Sequence, residues 1–463
     1  MRNITSDTIT AIATPAGRGG VGIVRISGPD AKEIAYKIVQ KPSDSEGAIC
    51  EANHFQPRSA HFTKFYNTDQ SIIDEGLVLF FENPHSFTGE DVVELQSHGS
   101  PIVLDQLVKI AIHYGARMAQ PGEFSLRAFL NKKMDLTQAE AIADLIAANS
   151  VEAARSAVRS LQGEFSKKIE ALQYALTQLR IQIEAMIDFP EEEIDFLSDP
   201  RVGALLQKTI DDVAVVKKQA SRGVLLQSGL NVVIVGKPNA GKSSLLNYLS
   251  GRESAIVTDI PGTTRDILRE SINIDGMPLH IVDTAGLRET DDVIEQEGVR
   301  RAYAQMEQAD LILLLVDATD SSTNYLNNVE ALTKAGAKYL VIKNKVDLTG
   351  EQPAIIARDN YSEIKLSIKK NIGMNLLLDA IKQSAGFQSS ETDGFIARRR
   401  HVDAIERAHT FLLHGQHQLI ESRAGELLAE DLRQAQHALS EITGEFSSDD
   451  LLGKIFSSFC IGK

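Results

Sequence analysis

The stretch Gly236-Lys-Pro-Asn-Ala-Gly241-Lys242-Ser243 decides the fold of the central part of this chain. It has the two glycines, the lysine and the hydroxyl of a phosphate-binding loop at the required spacing. An apolar, β-branched run at 232–235 precedes it, and a helical pattern at 244–249 follows. A strand, a glycine loop and a helix point backbone N–H groups and a helix N-terminus at a polyphosphate. The segment therefore predicts an α/β nucleotide-binding domain in which Lys242 contacts the phosphates and Ser243 contacts Mg²⁺.

The run Asn344-Lys345-Val346-Asp347 indicates which base the nucleotide carries. It follows the apolar run 339–342 and therefore lies at the carboxyl end of a strand. There the Asp347 carboxylate can accept hydrogen bonds from the ring N–H and the exocyclic amine of guanine, a donor pair that adenine does not present. Asn344 can address the acceptor edge of the base, and the aliphatic stem of Lys345 can cover its face. The sequence therefore predicts GTP rather than ATP.

Two segments between these motifs are typical of loops that sense the third phosphate. Residues 280–286 predict a strand that ends in Asp283-Thr284-Ala285-Gly286, where Asp283 would hold Mg²⁺ through water and the Gly286 N–H would bond the γ-phosphate. Residues 262–266 would supply a hydroxyl for the metal. Order in such loops depends on the γ-phosphate and is lost on hydrolysis, which makes a switch. Leu287 cannot orient a water, so the acidic stretch 291–297 either supplies an orienting carboxylate or is only a solvated surface.

Length and charge limit the classes of protein that fit. A chain of 463 residues exceeds one hydrophobic core, so two or three domains are expected. No early apolar stretch resembles a signal peptide, no apolar run approaches a membrane span, and two cysteines form no disulfide framework, so we predict a soluble, cytoplasmic protein. The net charge of −15 argues against a broad nucleic-acid footprint. Any RNA contact would be local or shared with a partner; Arg398-Arg399-Arg400 is either such a contact or a solvated helix start.

The alternation of patterns along the chain predicts its organisation. Short β-rich runs mixed with one or two helices indicate an α+β domain over residues 1–118. Helical periodicity covers about 119–228 and returns at 387–463, and the nucleotide domain occupies 229–386. The simplest interpretation is one helical domain that carries an inserted Ras-like GTPase domain with a mostly parallel sheet.

Several runs together carry a family resemblance. Residues 236–244, 258–266 and 283–288 resemble the TrmE/Era/EngA group of translation-linked GTPases. The runs 7–28, 86–96, 121–141 and 459–463 narrow this, because they resemble the MnmE (TrmE) family of tRNA-modification GTPases along essentially the whole chain. The resemblance implies an N-terminal domain with a tetrahydrofolate-binding-like fold, through which members form homodimers.

The resemblance also implies ligands for the nucleotide site. Mg²⁺ would be held by Ser243 and Thr264, and Glu295 would orient the attacking water. K⁺ would be bound by Asn239, Thr258, Ile260 and Thr263. A K⁺ there places positive charge near the transferring phosphoryl, where other GTPases use an arginine. The complete set of nucleotide-binding candidates is Asn239, Ala240, Gly241, Lys242, Ser243, Ser244, Thr258, Asp259, Ile260, Pro261, Gly262, Thr263, Thr264, Asp283, Thr284, Ala285, Gly286, Asn344, Lys345, Val346 and Asp347.

A second site is implied in the N-terminal domain. The folate contacts of the family align with Arg25, Glu94, Lys133 and Lys463, which would bind a 5-formyl or methylene tetrahydrofolate derivative. Cys460 is a candidate for the modification chemistry, although by composition alone the tail is a plain disordered terminus. The family reaction adds a carboxymethylaminomethyl or aminomethyl group to C5 of the wobble uridine (U34) of tRNA. The implied partner is an FAD protein of the MnmG type, in a heterotetramer-like complex.

Two other functions compete with this interpretation. One is an Era-like ribosome-assembly GTPase without modification chemistry, which usually carries a basic RNA-binding domain that this acidic chain lacks. The other is a membrane-assembling GTPase, which the absence of a basic amphipathic face disfavours.

One departure from the family pattern stands beside the guanine site, where Ser367-Ile368 replaces Ser-Ala. The bulkier Ile368 is expected to weaken nucleotide affinity slightly without changing the choice of base.

Overall fold

The computed structural model describes most of the chain in two units. The described residues are 7–40, 55–188, 200–251, 269–283, 309–320, 338–358, 361–387, 394–422, 424–445 and 449–462. Contacts divide the chain into one unit of residues 1–143 with 439–463 and a second unit of residues 144–438. The finer division into four segments at 118, 228 and 386 stays a prediction.

The first unit is built on a six-stranded sheet with the order β3-β4-β5-β2-β1-β6. All neighbouring strands in it are antiparallel except β1 and β6. Its strands are β1 (Ile9–Ile12), β2 (Gly19–Ser27), β3 (Ala60–Tyr66), β4 (Ile72–Phe81), β5 (Val92–Gly99) and β6 (Arg117–Met118). Helices α1 (Ala31–Val39) and α2 (Pro101–His113) pack against the sheet. Ile34 and Ile38 of α1 and Leu107 of α2 join the core with Val24 and Leu95.

Three further helices complete this unit. They are α3 (Glu123–Leu130), α4 (Leu136–Ile146), which runs into the second unit, and α13 (Asp449–Ser457). Leu136 and Ala139 of α4 pack with Phe456 and Phe459 from the C-terminal segment. The apolar spacing of α4 predicts this buried face. The same spacing includes Ile146 in it, but this residue is 56% exposed at the helix end.

The nucleotide domain lies in the second unit as a seven-stranded sheet with the order β12-β13-β11-β10-β7-β9-β8. The five central strands are parallel, and β8 and β12 are antiparallel edges. The strands are β7 (Leu230–Gly236), β8 (Arg269–Ile274), β9 (Met277–Asp283), β10 (Leu311–Asp317), β11 (Tyr339–Asn344), β12 (Ala354–Ala357) and β13 (Ser362–Lys365). Strands β7, β10 and β11 at the centre are mostly apolar because both faces of such a sheet are covered.

The helices of the second unit fall into two sets. Those connected with the sheet are α8 (Lys242–Ser250), the short α9 (Val346–Thr349) and α10 (Met374–Ser384). The remaining set is α5 (Val151–Leu161), α6 (Glu164–Asp188), α7 (Pro200–Ser228), α11 (Arg399–His417), a π-helical stretch (Gln418–Ser422) and α12 (Gly425–Thr443), which ends in the first unit. Helix α7 contacts α5, α6 and α11, so segments on both sides of the nucleotide domain form one packed group.

The β8–β9 hairpin touches a helix of this group at its turn. Asp275 and Gly276 both have positive φ, as a two-residue turn of this kind requires. The Gly276 carbonyl accepts a 3.4 Å contact from the Ser150 hydroxyl at the start of α5. A Cβ on Gly276 would lie 2.6 Å from Glu152. Lys382 of α10 pairs with Asp275 at 2.9 Å. The turn is therefore held between two helices.

Within the described ranges, no helix has both the length and the apolar character needed to cross a membrane.

Candidate functional site

The predicted phosphate-binding loop connects β7 to α8 as the sequence indicated. Asn239 and Gly241 have φ of 63° and 108°, which turns the loop back over the start of the helix. The ammonium of Lys242 donates to the carbonyls of Gly236 and Lys237. Ser243 and Ser244 lie in the first turn of α8, and both are exposed. Backbone N–H groups of a first helical turn beside a lysine form a site for a polyphosphate.

The guanine-side residues lie next to this loop. Asn344 ends β11, and its side chain is 4% exposed. Its amide donates to the Ala240 carbonyl at 2.9 Å, and its oxygen accepts from the Ile368 N–H at 3.1 Å. Asn344 therefore ties the phosphate loop to the loop that carries the Ile368 substitution. Asp347 is exposed on α9, where its carboxylate is available to a ligand.

Two aspartates that the sequence analysis did not single out hold the lysines of the site. Lys345, in a left-handed conformation, forms an ion pair with Asp317 at the end of β10. Lys237 of the phosphate loop pairs with Asp320 at 2.8 Å. Burial alone would raise the pKa of Asp317, but the hydrogen bonds from Lys345 and Thr319 outweigh burial and lower this pKa below its usual value. The sequence signal was present, because Asp317 follows an apolar strand run.

Several predicted residues of the nucleotide site fall beyond the described ranges. Asp283 ends β9 and pairs in register with Ile234 of β7, which brings its backbone to the strand that leads into the phosphate loop. The other predicted phosphate-sensing and cation residues lie outside the described residues: Thr258, Asp259, Ile260, Pro261, Gly262, Thr263, Thr264, Thr284, Ala285, Gly286 and Glu295.

The second predicted site lies in the first unit. Arg25 of β2 stands opposite Glu94 of β5, and its guanidinium pairs with that carboxylate at 2.8 Å. The Arg25 guanidinium also lies 5.5 Å from the ring centroid of Phe87 and 5.6 Å from that of Phe124. Lys133 donates to the Pro84 carbonyl at 2.8 Å, in the same loop as Phe87. Two of the predicted cofactor residues are therefore in contact, and a third contacts the loop beside them.

A buried charged network supports this arrangement, and sequence reasoning missed it. Arg127 of α3 is fully buried and bonds to the carboxylates of Asp7, Glu90 and Glu123. Arg117 shares two of these partners. Burial would raise the pKa of Glu123, but bonding to Arg117, the Gln120 N–H and Arg127 leaves this pKa below its usual value. The network ties the start of β1, the loop before β5 and helix α3 to one another.

The C-terminal tail docks on the same unit. The Gly122 N–H donates to the Cys460 carbonyl at 3.3 Å, and the Cys460 side chain is exposed. Gly462 has φ of 97° and lies against the backbone of Ile12 at the end of β1. Because Ala11 of β1 pairs with Arg25 of β2, the tail docks on the strand next to the one that carries Arg25. Lys463 lies outside the described residues.

The Arg398–Arg400 triplet is at least partly structural. Arg398 is the N-cap of α11, and its guanidinium pairs at 2.8 Å with Asp144, which is 6% exposed. Arg398 is therefore committed to holding α11, whereas Arg399 is exposed.

Comparisons with known proteins show the family of this chain. The model of the MnmE helical domain matches residues 136–460, and that of the GTP-binding protein TrmE N-terminus matches residues 8–133. The tRNA modification GTPase MnmE of Coxiella burnetii is 55% identical over 466 residues, with all of both chains covered. That of Hydrogenovibrio crunogenus is 54% identical over 459 residues, with 99% of each chain covered. The G domain of FeoB from Methanococcus jannaschii is 24% identical to this chain, with a TM-score of 0.25. The match covers 34% of this chain and 97% of that domain.

The predicted fold class is confirmed by these matches: a TrmE-type N-terminal domain, a helical domain and a P-loop GTPase domain. The chain is a GTP hydrolase and belongs to the MnmE (TrmE) family of tRNA modification GTPases.

Proposed function

We propose that this GTPase is Mg²⁺-dependent and K⁺-stimulated, and that it acts in the modification of tRNA at C5 of the wobble uridine, U34. The group added is carboxymethylaminomethyl or aminomethyl, and the one-carbon unit comes from a tetrahydrofolate derivative. The observation that carries the proposal is identity of 54–55% along the whole chain to tRNA modification GTPases.

The described nucleotide-site residues suit the two cations. The Ser243 hydroxyl belongs to the first turn of α8, where Mg²⁺ would be held together with Thr264. The Asn239 carboxamide is exposed on a left-handed residue of the loop and offers the hard oxygen that K⁺ prefers. When bound, both cations supply positive charge that stabilises the transferring phosphoryl group. Leu287 cannot orient the attacking water, and the family resemblance gives this role to Glu295.

The residues around Arg25 suit a folate. The half-buried Phe87 ring offers a flat apolar surface to a pterin ring, and the polar edge of the pterin suits the Arg25–Glu94 pair. Phe124 is fully buried and packs against the Arg25 guanidinium. Lys133 and Lys463 add positive charge for the carboxylates of a folate tail. When bound, the tetrahydrofolate derivative supplies a one-carbon unit. Cys460, on the docked tail, is the candidate residue for chemistry next to it.

The proposal includes partners and location. We infer a homodimer formed through the N-terminal domain and a complex with an MnmG-type FAD protein, in the cytoplasm. The substrate is tRNA. An Era-like assembly role without modification chemistry is the competing function.

The deciding experiment is nucleoside mass spectrometry of tRNA from cells that lack the gene, with and without its restoration. We expect a C5-substituted wobble uridine to disappear and to return. Restoration with Cys460→Ser should fail to return it while GTP hydrolysis by that variant stays normal. An unchanged nucleoside profile in the deletion strain, with a defect in ribosome assembly, would favour the Era-like function instead.

The cation and water roles are tested on the purified protein. GTP hydrolysis should be faster in KCl than in NaCl at equal ionic strength, and Asn239→Ala should remove the difference. Glu295→Ala should abolish turnover and keep GTP binding. Equal rates in the two salts would refute the K⁺ site, and normal turnover by Glu295→Ala would refute the orienting role.

A further inference from the structure

Four cations that have no acidic partner among the described residues gather on one helical hairpin of this acidic chain. Arg155 and Arg159 lie on α5, and Lys167 and Lys168 lie on α6, beyond the two-residue turn that joins the helices. In the part of the chain that the structure describes, none of the four forms an ion pair, whereas many lysines and arginines elsewhere do. Glu164 is the single carboxylate between Arg155 and Lys168, so this segment has a net charge of +3 in a chain of −15.

Packing joins a fifth cation, Arg399 at the start of α11, to this hairpin. The Ser160 hydroxyl, next to Arg159, bonds to both backbone groups of Ile396 at 2.9 and 3.1 Å. Phe165, two residues before Lys167, stacks on Phe395 with 4.5 Å between ring centroids.

Phe165 also lies 5.1 Å from the ring of His401. Arg399, two residues before His401, is exposed and has no acidic partner among the described residues. The three helices that carry these cations are therefore joined through packed residues close to them in sequence. We call Arg155, Arg159, Lys167, Lys168 and Arg399 the basic junction.

We propose that the basic junction binds the phosphate backbone of tRNA, an inference that rests on the proposed function. An acidic protein repels a polyanion unless cations are concentrated at one place, and cations without carboxylate partners can pair with phosphates at no cost of broken ion pairs. Arginines four residues apart on one helix face lie about one helical turn, roughly 5–6 Å, from each other, close to the spacing of successive phosphates. Such contacts position the RNA and do not read its sequence.

An anionic membrane would also attract these cations, but the helix face does not suit one. Membrane-surface helices carry bulky apolar residues that enter the lipid. The inward face of α5 consists of Ala153, Ser156, Ala157 and Ser160, which pack within the protein. Within α5, which the structure describes from end to end, the exposed large apolar side chains are only Val151 and Val158.

The test is the double variant Arg155→Glu/Arg159→Glu in the full-length protein, measured by fluorescence anisotropy with labelled tRNA across about 50–200 mM salt. We expect the Kd to rise roughly tenfold or more and the slope of log K against log salt to fall in magnitude by about two. The matched control is Lys208→Glu/Lys338→Glu, which changes the net charge by the same amount. Lys208 is exposed on α7, and Lys338 is exposed directly before β11. Its tRNA affinity should stay close to that of the unchanged protein.

A second variant and three readouts separate the possible outcomes. Arg399→Glu should weaken tRNA binding in the same direction, and both junction variants should keep the melting temperature and the GTP hydrolysis rate. Equal affinity of the junction and control variants would overturn the inference while leaving the proposed function intact. No tRNA binding by the unchanged protein would overturn the tRNA role itself. Loss of binding to phosphatidylserine vesicles with unchanged tRNA affinity would assign the junction to a membrane and overturn the inference.

Discussion

The docking of the C-terminal tail can be broken by one methyl group. Gly462 has φ of 97°, and a Cβ there would overlap the carbonyl oxygen of Ile12. In Gly462→Ala the left-handed backbone alone costs about 1–2 kcal/mol, and the overlap adds to this. The strand cannot yield because Ile12 is paired with Val24, so the tail should detach instead.

The size of the effect follows from local opening. A cost of about 1–2 kcal/mol shifts an equilibrium by a factor of roughly 5–30. The Gly122 N–H is protected by the Cys460 carbonyl, so its hydrogen exchange should accelerate by about this factor or more. Wobble-uridine modification should fall as the undocked tail becomes populated, and GTP hydrolysis should not change.

Gly453→Ala is the matched control in the same terminal segment. Gly453 lies in α13 and needs no left-handed backbone, and among the described residues nothing beyond its own helix backbone lies within 4 Å of the place that a Cβ would take. Alanine there should stabilise the helix by about 1 kcal/mol and leave exchange at Gly122 no faster. Equal exchange at Gly122 in Gly462→Ala and in the unchanged protein would refute the docking argument.

Three further predictions concern the charged and polar ties. Asn344→Ala should weaken GTP binding and destabilise the protein by about 2–3 kcal/mol in chemical denaturation, because two buried hydrogen bonds are lost; unchanged GTP affinity would contradict this. Arg398→Gln should lower the free energy of unfolding in chemical denaturation by about 3 kcal/mol, since Asp144 stays buried without its cation. A smaller decrease than in the exposed control Arg399→Gln would contradict this. Bonding to Arg117 lowers the pKa of Asp7 below its usual value of 3.8. The ionised carboxylate therefore stabilises the fold above that pH, and this stabilisation is lost as the pH falls through the lowered pKa. Between about pH 4 and 2 the melting temperature should fall more in the unchanged protein than in Asp7→Asn, and parallel curves would contradict this.

The nucleotide domain was the part that sequence predicted best. The phosphate loop, the strand before it and the helix after it lie where the glycine and apolar spacing put them, and residues 344–347 lie at the carboxyl end of β11. These features are local, because a few neighbouring residues determine them.

Contacts between distant segments were not predictable in this way. Periodicity indicates which face of a helix is apolar but not what that face meets. Arg127, in an ordinary helical pattern, is buried among three carboxylates from separate segments. Arg398 pairs with Asp144 across 254 positions, so a basic triplet that suggested RNA binding includes a structural cation. Asn344 likewise has bonds that depend on two loops meeting.

The turn of the β8–β9 hairpin connects the nucleotide domain to helix α5. The predicted phosphate-sensing segments precede β8 and follow β9, at the end of the hairpin opposite Asp275 and Gly276. The β8–β9 pairing runs from these strand ends to the turn. The turn contacts the first residues of α5, which also carries Arg155 and Arg159. The hairpin thus connects the strand ends beside the predicted phosphate-sensing segments with the helix that we propose binds tRNA.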